Sequence, residues 1–233
     1  HNQKIGLIGP NGAGKSSLFK LITGEYACEK GGNVVRARGV NVGYLPQEPT
    51  LDLGQMGYDA ALQGNPRVAQ ILEELDKVES SLADEVVFND EKKLSRVLER
   101  QQELLDDYQS LGGDQYPERV RNLLRGLGLA EGEEDKPLRI LSGGQKKLIG
   151  LARLLLSAPD VLLLDEPDNH LDLAGKMYLE RFIQNYPGAV VIISHDRYLL
   201  DSVVTHIAEL EDGRLTMFEG DYSSFIIDKQ QRM

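Results

Sequence analysis

The sequence predicts an α/β fold built around a mostly parallel sheet. Two observations support this: short apolar runs recur along the chain, and helical patterns follow them at residues 16–23 and 146–157. Strands that are covered on both faces, as in parallel sheets, give continuous apolar runs of this kind. The predicted strands are Lys4–Ile8, Val40–Leu45, Val161–Leu164 and Ala189–Ile193.

A glycine-rich loop that matches G-x-x-x-x-G-K-[ST] follows the first strand. In such loops the backbone N–H groups wrap phosphate oxygens, the lysine (here Lys15) reaches the terminal phosphates, and the hydroxyl (here Ser16) ligates Mg²⁺. A glycine turn with an incidental lysine is the alternative, but the order of strand, loop and helix disfavours it. The predicted nucleotide-binding residues are Gly9, Pro10, Asn11, Gly12, Ala13, Gly14, Lys15, Ser16 and Ser17.

A second motif, Leu141-Ser142-Gly143-Gly144-Gln145, heads a helical stretch just upstream of a strand that ends in Asp165 and Glu166. Ser-Gly-Gly is more often a helix-capping turn, but its position before the Asp-Glu strand favours a functional role. With these residues the chain resembles the ATP-binding-cassette (ABC) superfamily. The resemblance implies that this signature segment acts in trans, on the γ-phosphate of a nucleotide held by an opposite cassette. Two cassettes would then pair head to tail and enclose two ATP molecules.

The ends of the later strands carry acidic and imidazole side chains. Asp165 can hold Mg²⁺ through water, because hard cations prefer oxygen ligands. Glu166 is then next to the attacking water and can deprotonate it. A solvated loop end is the alternative for such a pair, and the apolar run before it disfavours that interpretation. His195 follows another buried-strand pattern and should emerge at the same carboxyl edge of the sheet.

The resemblance assigns two further roles. His195 resembles the switch histidine, which contacts the γ-phosphate, and Gln47 matches the Q-loop glutamine, which ligands Mg²⁺ and senses the attacking water. The predicted catalytic residues are Glu166, His195 and Gln47. The predicted metal ligands are Ser16, Gln47 and Asp165, and the implied cofactors are ATP and Mg²⁺.

The flanking segments resemble one branch of the superfamily, the ABC-F proteins, which are soluble cassettes that act on ribosomes. Residues 165–172 resemble the Asn-His-Leu-Asp form of the D-loop, which ends at Asp172, and residues 194–201 resemble the ABC-F switch segment. Residues 219–225 look like the lead-in to the linker between two cassettes, and residues 230–233 are expected to form the first turn of the linker helix. Two residues depart from the pattern: Leu148 replaces an Arg, and Asp168 replaces a Thr. Asp168 would add a carboxylate near the γ-phosphate and could weaken affinity or closure.

A long insertion separates Gln47 from the signature. Asn65-Pro66 predicts the start of one helix, and Asn89-Asp90 predicts the start of a second that stops at Gly112-Gly113. The apolar positions of the first helix are Val68, Ile71, Leu72, Leu75, Val78 and Leu82, and those of the second are Leu94, Val97, Leu98, Leu104, Leu105, Tyr108 and Leu111. By resemblance this hairpin, at about residues 65–112, is the ABC-F arm; a hairpin that packs on its own cassette is the alternative.

These segments predict a domain organisation. We expect a P-loop ATPase core lobe from residues 1–48 and 142–222, a helical subdomain from residues 49–141, and the start of an inter-cassette linker at residues 223–233. We also expect a fragment or excised domain, with the upstream strands and the aromatic residue that stacks on adenine preceding residue 1.

Composition limits the possible partners. The net charge of −11 repels RNA at long range. Salt screens this repulsion over about 8 Å, so local basic patches determine whether the protein can contact RNA. The candidate contacts are Arg119, Arg121, Arg125, Lys92, Lys93, Arg96 and Arg100. The single cysteine, Cys28, excludes an internal disulfide and suits a reducing cytosol. Because no apolar run reaches about 18 residues, we predict no membrane insertion and a cytoplasmic location.

Together these features predict an ATPase that hydrolyses ATP with Mg²⁺ in a composite site completed by a second cassette. The protein would act in translation as an ATP-dependent switch, with the ribosome, rRNA or tRNA as partner. One alternative is the ATPase subunit of a membrane ABC transporter, which would need a groove for a coupling helix instead of an arm. Another is a structural cassette of chromosome or repair machinery, which the lack of a long coiled-coil insertion disfavours.

Overall fold

The computed structural model describes residues 3–29, 31–84 and 88–232. These residues form a six-stranded sheet with the order β2-β3-β4-β1-β5-β6. Strands β1 to β5 are mutually parallel, and β6 pairs antiparallel with β5. The strands are β1 Lys4–Ile8, β2 Val42–Leu45, β3 Val161–Asp165, β4 Ala189–Ile193, β5 His206–Glu211 and β6 Arg214–Glu219. The predicted α/β fold with a mostly parallel sheet is confirmed.

The helices in the described ranges surround this sheet and fill the segment between β2 and β3. They are α1 Lys15–Thr23, α2 Gly57–Leu62, α3 Pro66–Leu82, α4 Glu91–Ser110, α5 Tyr116–Gly126, α6 Gly143–Leu156, α7 Leu173–Asn185, α8 Arg197–Val203 and α9 Tyr222–Arg232. None of the helices in these ranges is both long and apolar enough to cross a membrane.

The C-terminal helix begins earlier than the sequence suggested. The prediction that residues 230–233 form a first helical turn is wrong, because α9 already begins at Tyr222; Met233 lies outside the described residues. The Asp221 carboxylate accepts a hydrogen bond from the Ser224 N–H at 2.8 Å, and Phe225 packs edge-on against Phe218 with ring centroids 5.0 Å apart. Both contacts stabilise the helix at its start.

Apolar side chains cover both faces of the sheet. Alternation along β3 sends Leu162 and Leu164 to one face and Leu163 to the other. On the Leu163 face, the fully buried Phe19 of α1 meets Tyr44 edge-on, with ring centroids 5.8 Å apart. This packing brings the loop before α1 to the edge of the sheet where the parallel strands end.

The two long helices between β2 and β3 form an antiparallel hairpin. Ion pairs join Arg67 to Asp107 and Arg100 to Glu74, so that residue numbers fall along one helix as they rise along the other. Both predicted caps are present, because Asn65 accepts the Val68 N–H at 3.3 Å and Asp90 accepts the Lys92 N–H at 3.1 Å. We refer to α3 and α4 as the arm hairpin.

The apolar stripe of the second arm helix is only partly buried. Leu104 and Tyr108 of α4 are buried, together with Val68 and Ile71 of α3. In contrast, Leu98, Leu105 and Leu111 are 47%, 38% and 41% exposed, because α3 covers a single side of α4. The division into a core lobe, a helical subdomain and a linker stays a prediction.

Candidate functional site

A cleft of about 410 Å³ lies where the parallel strands end. Its lining residues come from four separate parts of the chain: the glycine loop, the segment after β2, the end of β3 and the end of β4. They are Asn11, Gly12, Gly14, Lys15, Ser16, Ser17, Gln47, Asp165, Glu166, Ile193 and His195. The fold therefore brings the predicted catalytic residues to the glycine loop, at the edge where ligands of open α/β folds bind.

The glycine loop has a backbone that side chains would disturb. Gly9 has φ of 149°, and a Cβ there would lie 2.1 Å from the Leu210 carbonyl oxygen. Gly12 and Gly14 also have positive φ, of 82° and 97°. Gly14 is the N-cap of α1, so the positive end of this helix opens on the cleft.

We expect Gly9→Ala to remove nucleotide binding and to destabilise the fold by about 3 kcal/mol, because it adds both backbone strain and a clash with Leu210. Gly12→Ala is the matched control: its Cβ would meet nothing within 4 Å, so only the strain at φ of 82°, about 1 kcal/mol, remains. Urea unfolding of both variants measures the difference. Equal losses of stability would show that the contact with Leu210 does not matter.

The Lys15 ammonium is held against the loop. Its Nζ donates to the Gly9 and Pro10 carbonyl oxygens at 2.9 and 3.1 Å. The Pro10 oxygen also accepts the Ala13 N–H at 3.2 Å, which closes the turn. The positive charge of Lys15 is thus fixed at the N-terminus of α1, where a bound anion would interact with both the ammonium group and the helix dipole.

Asp165 has a buried carboxylate oxygen that is suited to bind a cation. The residue is 1% exposed, and among the described residues its Oδ1 atom has no hydrogen-bond partner of normal geometry. Burial raises the pKa of the Asp165 carboxyl, and the neighbouring Ser16 hydroxyl opposes that shift. A buried carboxylate oxygen without a donor is costly, and ligation of a cation would satisfy it.

The donor set fits Mg²⁺ bound together with phosphates. Ser16, Gln47 and Asp165 all line the cleft and offer oxygen atoms, which this cation prefers. The described parts of the chain hold no cluster of three or more His, Cys, Asp or Glu residues suited to a metal ion. Mg²⁺ usually takes only one or two carboxylates and completes its shell with water and substrate phosphates, so one buried aspartate is sufficient.

Backbone and side-chain contacts hold Glu166 in place. Its backbone N–H donates to the Ile193 oxygen at 2.8 Å, and its own carbonyl accepts the Lys147 Nζ at 2.7 Å and the Asn169 N–H at 3.3 Å. On the side chain, Oε2 accepts the Asn169 Nδ2 at 2.6 Å and Oε1 lies 3.2 Å from the His195 Nε2. The residue has φ of 50°, a strained conformation that persists only where the surroundings fix it.

Comparison with known proteins agrees with this geometry. The sequence model of the family described as ABC transporter matches residues 1–169. The chain belongs to the ABC family. A translational throttle protein, EttA of Haemophilus influenzae, is 39% identical over 99% of the cassette, which covers 40% of that protein. A putative ATP-binding protein, YdiF of Bacillus subtilis, is 35% identical over 98% of the cassette, and the match covers 35% of that protein.

These relatives support the ABC-F resemblance, and the cassette spans well under half of their length. Among solved structures, an ATP-binding subunit of an ABC transporter aligns with a TM-score of 0.66 at 18% identity, covering 99% of the cassette and 83% of that chain. At this identity the likeness establishes the P-loop cassette fold alone.

The Asp168 departure has a structural partner in this cassette. Asp168 is buried, and its Oδ1 accepts a hydrogen bond from the Ser194 hydroxyl at 2.8 Å. Ser194 Oγ in turn accepts the Asp196 N–H at 2.9 Å. The Asp168 carboxylate is thus directed at the turn that carries His195, and its effect on nucleotide affinity or closure stays a prediction. Leu148, the second departure, is buried in the apolar core.

The signature segment lies apart from the cleft. Ser142 and Gln145 form a capping box at the start of α6: Ser142 Oγ accepts the Gln145 N–H at 3.2 Å, and Gln145 Oε1 accepts the Ser142 N–H at 2.8 Å. Leu141 is buried, whereas Gly143 faces open space and Gly144 lies near His170. The segment does not line the cleft described above, and its action in trans stays a prediction. Asp172 of the D-loop caps α7 by accepting the Gly175 N–H at 2.7 Å.

Sequence reasoning missed three residues beside the two predicted site carboxylates, Asp165 and Glu166. Asn169, which contacts Glu166, could have been found from its spacing of three residues. The Tyr44 hydroxyl donates to Asp165 Oδ2 at 3.5 Å. Lys147 is 4% exposed, and burial lowers its pKa while the charges of Glu166 and nearby Asp168 oppose that shift. The sequence carries no signal for Lys147, because its contact depends on how α6 sits on the sheet.

Proposed function

We propose that this cassette binds and hydrolyses Mg-ATP in a site that a second cassette completes, and that the whole protein is an ATP-dependent switch on the ribosome. The observation that carries the ATPase proposal is the placement of Glu166. This carboxylate is held by backbone and side-chain contacts in the same cleft as the phosphate loop.

The residues of the cleft divide the chemistry among them. The loop N–H groups and Lys15 bind phosphate oxygens, and Ser16, Gln47 and Asp165 would hold Mg²⁺. When bound, the metal neutralises charge on the phosphates. Glu166 takes the proton of the attacking water, a contribution of about 10²–10⁴ in rate, or roughly 3–5 kcal/mol of barrier.

His195 is positioned to respond to the γ-phosphate. Its side chain is exposed and its Nε2 lies 3.2 Å from Glu166 Oε1. Both carboxylate oxygens are thus engaged, one by His195 and one by Asn169. We propose that the γ-phosphate draws His195 to itself and frees Oε1 to accept the proton.

The ribosomal role rests on the translational throttle relatives and on the arm hairpin. Acidic neighbours pair with four of the candidate basic contacts, namely Lys93 with Asp90, Arg100 with Glu74 and Glu103, Arg121 with Glu134 and Asp135, and Arg125 with Glu131. Ion pairs of this kind weaken the pull on RNA phosphates. We therefore propose Lys92, Arg96 and Arg119, all exposed, as the RNA contacts.

The switch works by population shift. ATP closes the two cassettes and favours one ribosome-bound state, and hydrolysis releases it. We propose a second cassette and the ribosome, with its rRNA or tRNA, as the partners. We also propose that the protein acts in the cytoplasm.

We expect this cassette to be a poor ATPase by itself, because its nucleotide lacks the signature of a partner cassette. The measurement is ATP turnover across a range of protein concentrations, with the full-length protein as reference. The specific activity of the isolated cassette should be low and rise with concentration as cassettes pair. A constant specific activity equal to that of the full-length protein would contradict the composite site.

A transporter ATPase subunit remains the second candidate, and one cleft favours it. This cleft, of about 480 Å³, lies between the segment after β2 and helix α6, with Pro46, Pro49 and Arg153 in its lining. Such a groove could receive a helix of a membrane partner. Copurification from cells separates the candidates: ribosomes support the switch, a membrane permease supports the transporter, and DNA supports a chromosome or repair role.

A further inference from the structure

Lys147 is a buried cation in a helix that otherwise contributes to the apolar core. It lies on α6 between the capping box and the buried residues Leu148 and Ile149, and is 4% exposed. Removing an ammonium group from water costs several kcal/mol, and an apolar side chain of the same length would avoid that cost. The charges of Glu166, Asp168 and Asp165 offset part of this cost, but burial alone favours an apolar residue at this position.

The lysine is directed at the backbone of the predicted base. Its Nζ donates to the Glu166 carbonyl oxygen at 2.7 Å, and the Glu166 N–H donates to the Ile193 oxygen at 2.8 Å. The Glu166 N–H is thus bonded to β4, and the Glu166 carbonyl oxygen is bonded to Lys147 of α6 and, at the longer distance of 3.3 Å, to the Asn169 N–H. Lys147 supplies the shorter bond to this oxygen, and together these bonds hold the residue at φ of 50°, which sets the direction of its Cα–Cβ bond.

We propose that Lys147 is a positioning residue for hydrolysis, which orients the Glu166 carboxylate by fixing the Glu166 carbonyl oxygen. This rests on the proposed function, in which Glu166 is the base. Lys147 touches no reacting atom in this assignment. Its effect on rate arises because a misplacement of about 1 Å in a catalytic group can cost about 100-fold.

The experiment compares Lys147→Met with Lys146→Met in the full-length protein. Methionine keeps the length and apolar stem but removes the donor. Lys146 is adjacent on the same helix and partly exposed, so it controls for loss of one positive charge. For Lys147→Met we expect kcat to fall about 10- to 100-fold, with KM for ATP and the affinity for a non-hydrolysable analogue within about threefold. Lys146→Met should stay within about twofold.

Two further variants separate positioning from folding. Lys147→Arg keeps a donor and should recover part of the lost kcat. Lys147→Gln is polar but too short to reach the Glu166 carbonyl, so its kcat should fall as in Lys147→Met. If the methionine variant does not fold, the kcat of Lys147→Gln tests the proposal instead. A normal kcat in a folded Lys147→Met or Lys147→Gln variant would overturn the proposal, and so would equal losses of kcat and analogue affinity.

A double variant tests the route through Glu166. In a Glu166→Gln background the position of the base no longer matters, so adding Lys147→Met should change the residual single-turnover rate less than about threefold. A further loss as large as that in the wild-type background would contradict positioning. If Glu166→Gln itself turns over normally, the proposed function fails; if only Lys147→Met turns over normally, the positioning role fails alone.

Discussion

Glu166→Gln is expected to slow ATP hydrolysis by two or more decades while ATP still binds. The amide keeps the shape of the side chain, and its oxygen can still accept the hydrogen bond from Asn169. It cannot take a proton from water, so the loss falls on the chemical step. The strained backbone at this position is unchanged, because its ties to Lys147 and Ile193 involve main-chain atoms.

Single-turnover hydrolysis and analogue binding measured side by side test this expectation in the full-length protein. Glu118→Gln, on the exposed side of α5, is a matched control that should leave both unchanged. Normal hydrolysis by Glu166→Gln would show that Glu166 is not the general base. A loss of binding as large as the loss of rate would instead indicate a damaged cleft.

Lys15→Ala is expected to lower the affinity for ATP by about 100-fold. The ammonium lies on the loop carbonyls of Gly9 and Pro10, within the cleft, and would form charge-assisted hydrogen bonds with the terminal phosphates. Such bonds contribute about 1.5–3 kcal/mol each, and 1.4 kcal/mol corresponds to a factor of ten.

Calorimetric titration with a non-hydrolysable ATP analogue measures this loss. Lys20→Ala is the matched control: Lys20 lies on the same helix, with its ammonium 5.2 Å from the centre of the Tyr26 ring, and should alter affinity less than about threefold. Unchanged binding in Lys15→Ala would show that the loop does not hold the phosphates.

The fold and most of the cleft could be predicted because their signals are local or follow from strand direction. Apolar runs gave β1, β3 and β4 close to their observed bounds, and cap residues gave the starts of the arm helices. Once the strands are parallel, the residues that follow them must meet at one edge. That rule alone predicts Asp165, Glu166 and His195 in one cleft.

Other features depend on packing between distant segments and left no local signal. The Lys147 contact requires a particular packing of α6 against the sheet, and the Asp168 carboxylate contacts Ser194 only because the segments that follow β3 and β4 lie side by side. The exposed Leu98 and Leu105 show the same limit, since helical periodicity marks apolar positions without telling how many neighbours will cover them.

The most direct test of the ATP-dependent switch is cosedimentation of the full-length protein with ribosomes, with the base replaced by Gln in both cassettes, Glu166 in this one. With ATP the variant should close, remain closed and sediment with ribosomes, whereas with ADP it should stay in the supernatant. Wild-type protein should release as it hydrolyses ATP. A variant that traps ATP but never sediments with ribosomes would leave the ATPase in place and contradict the ribosomal switch.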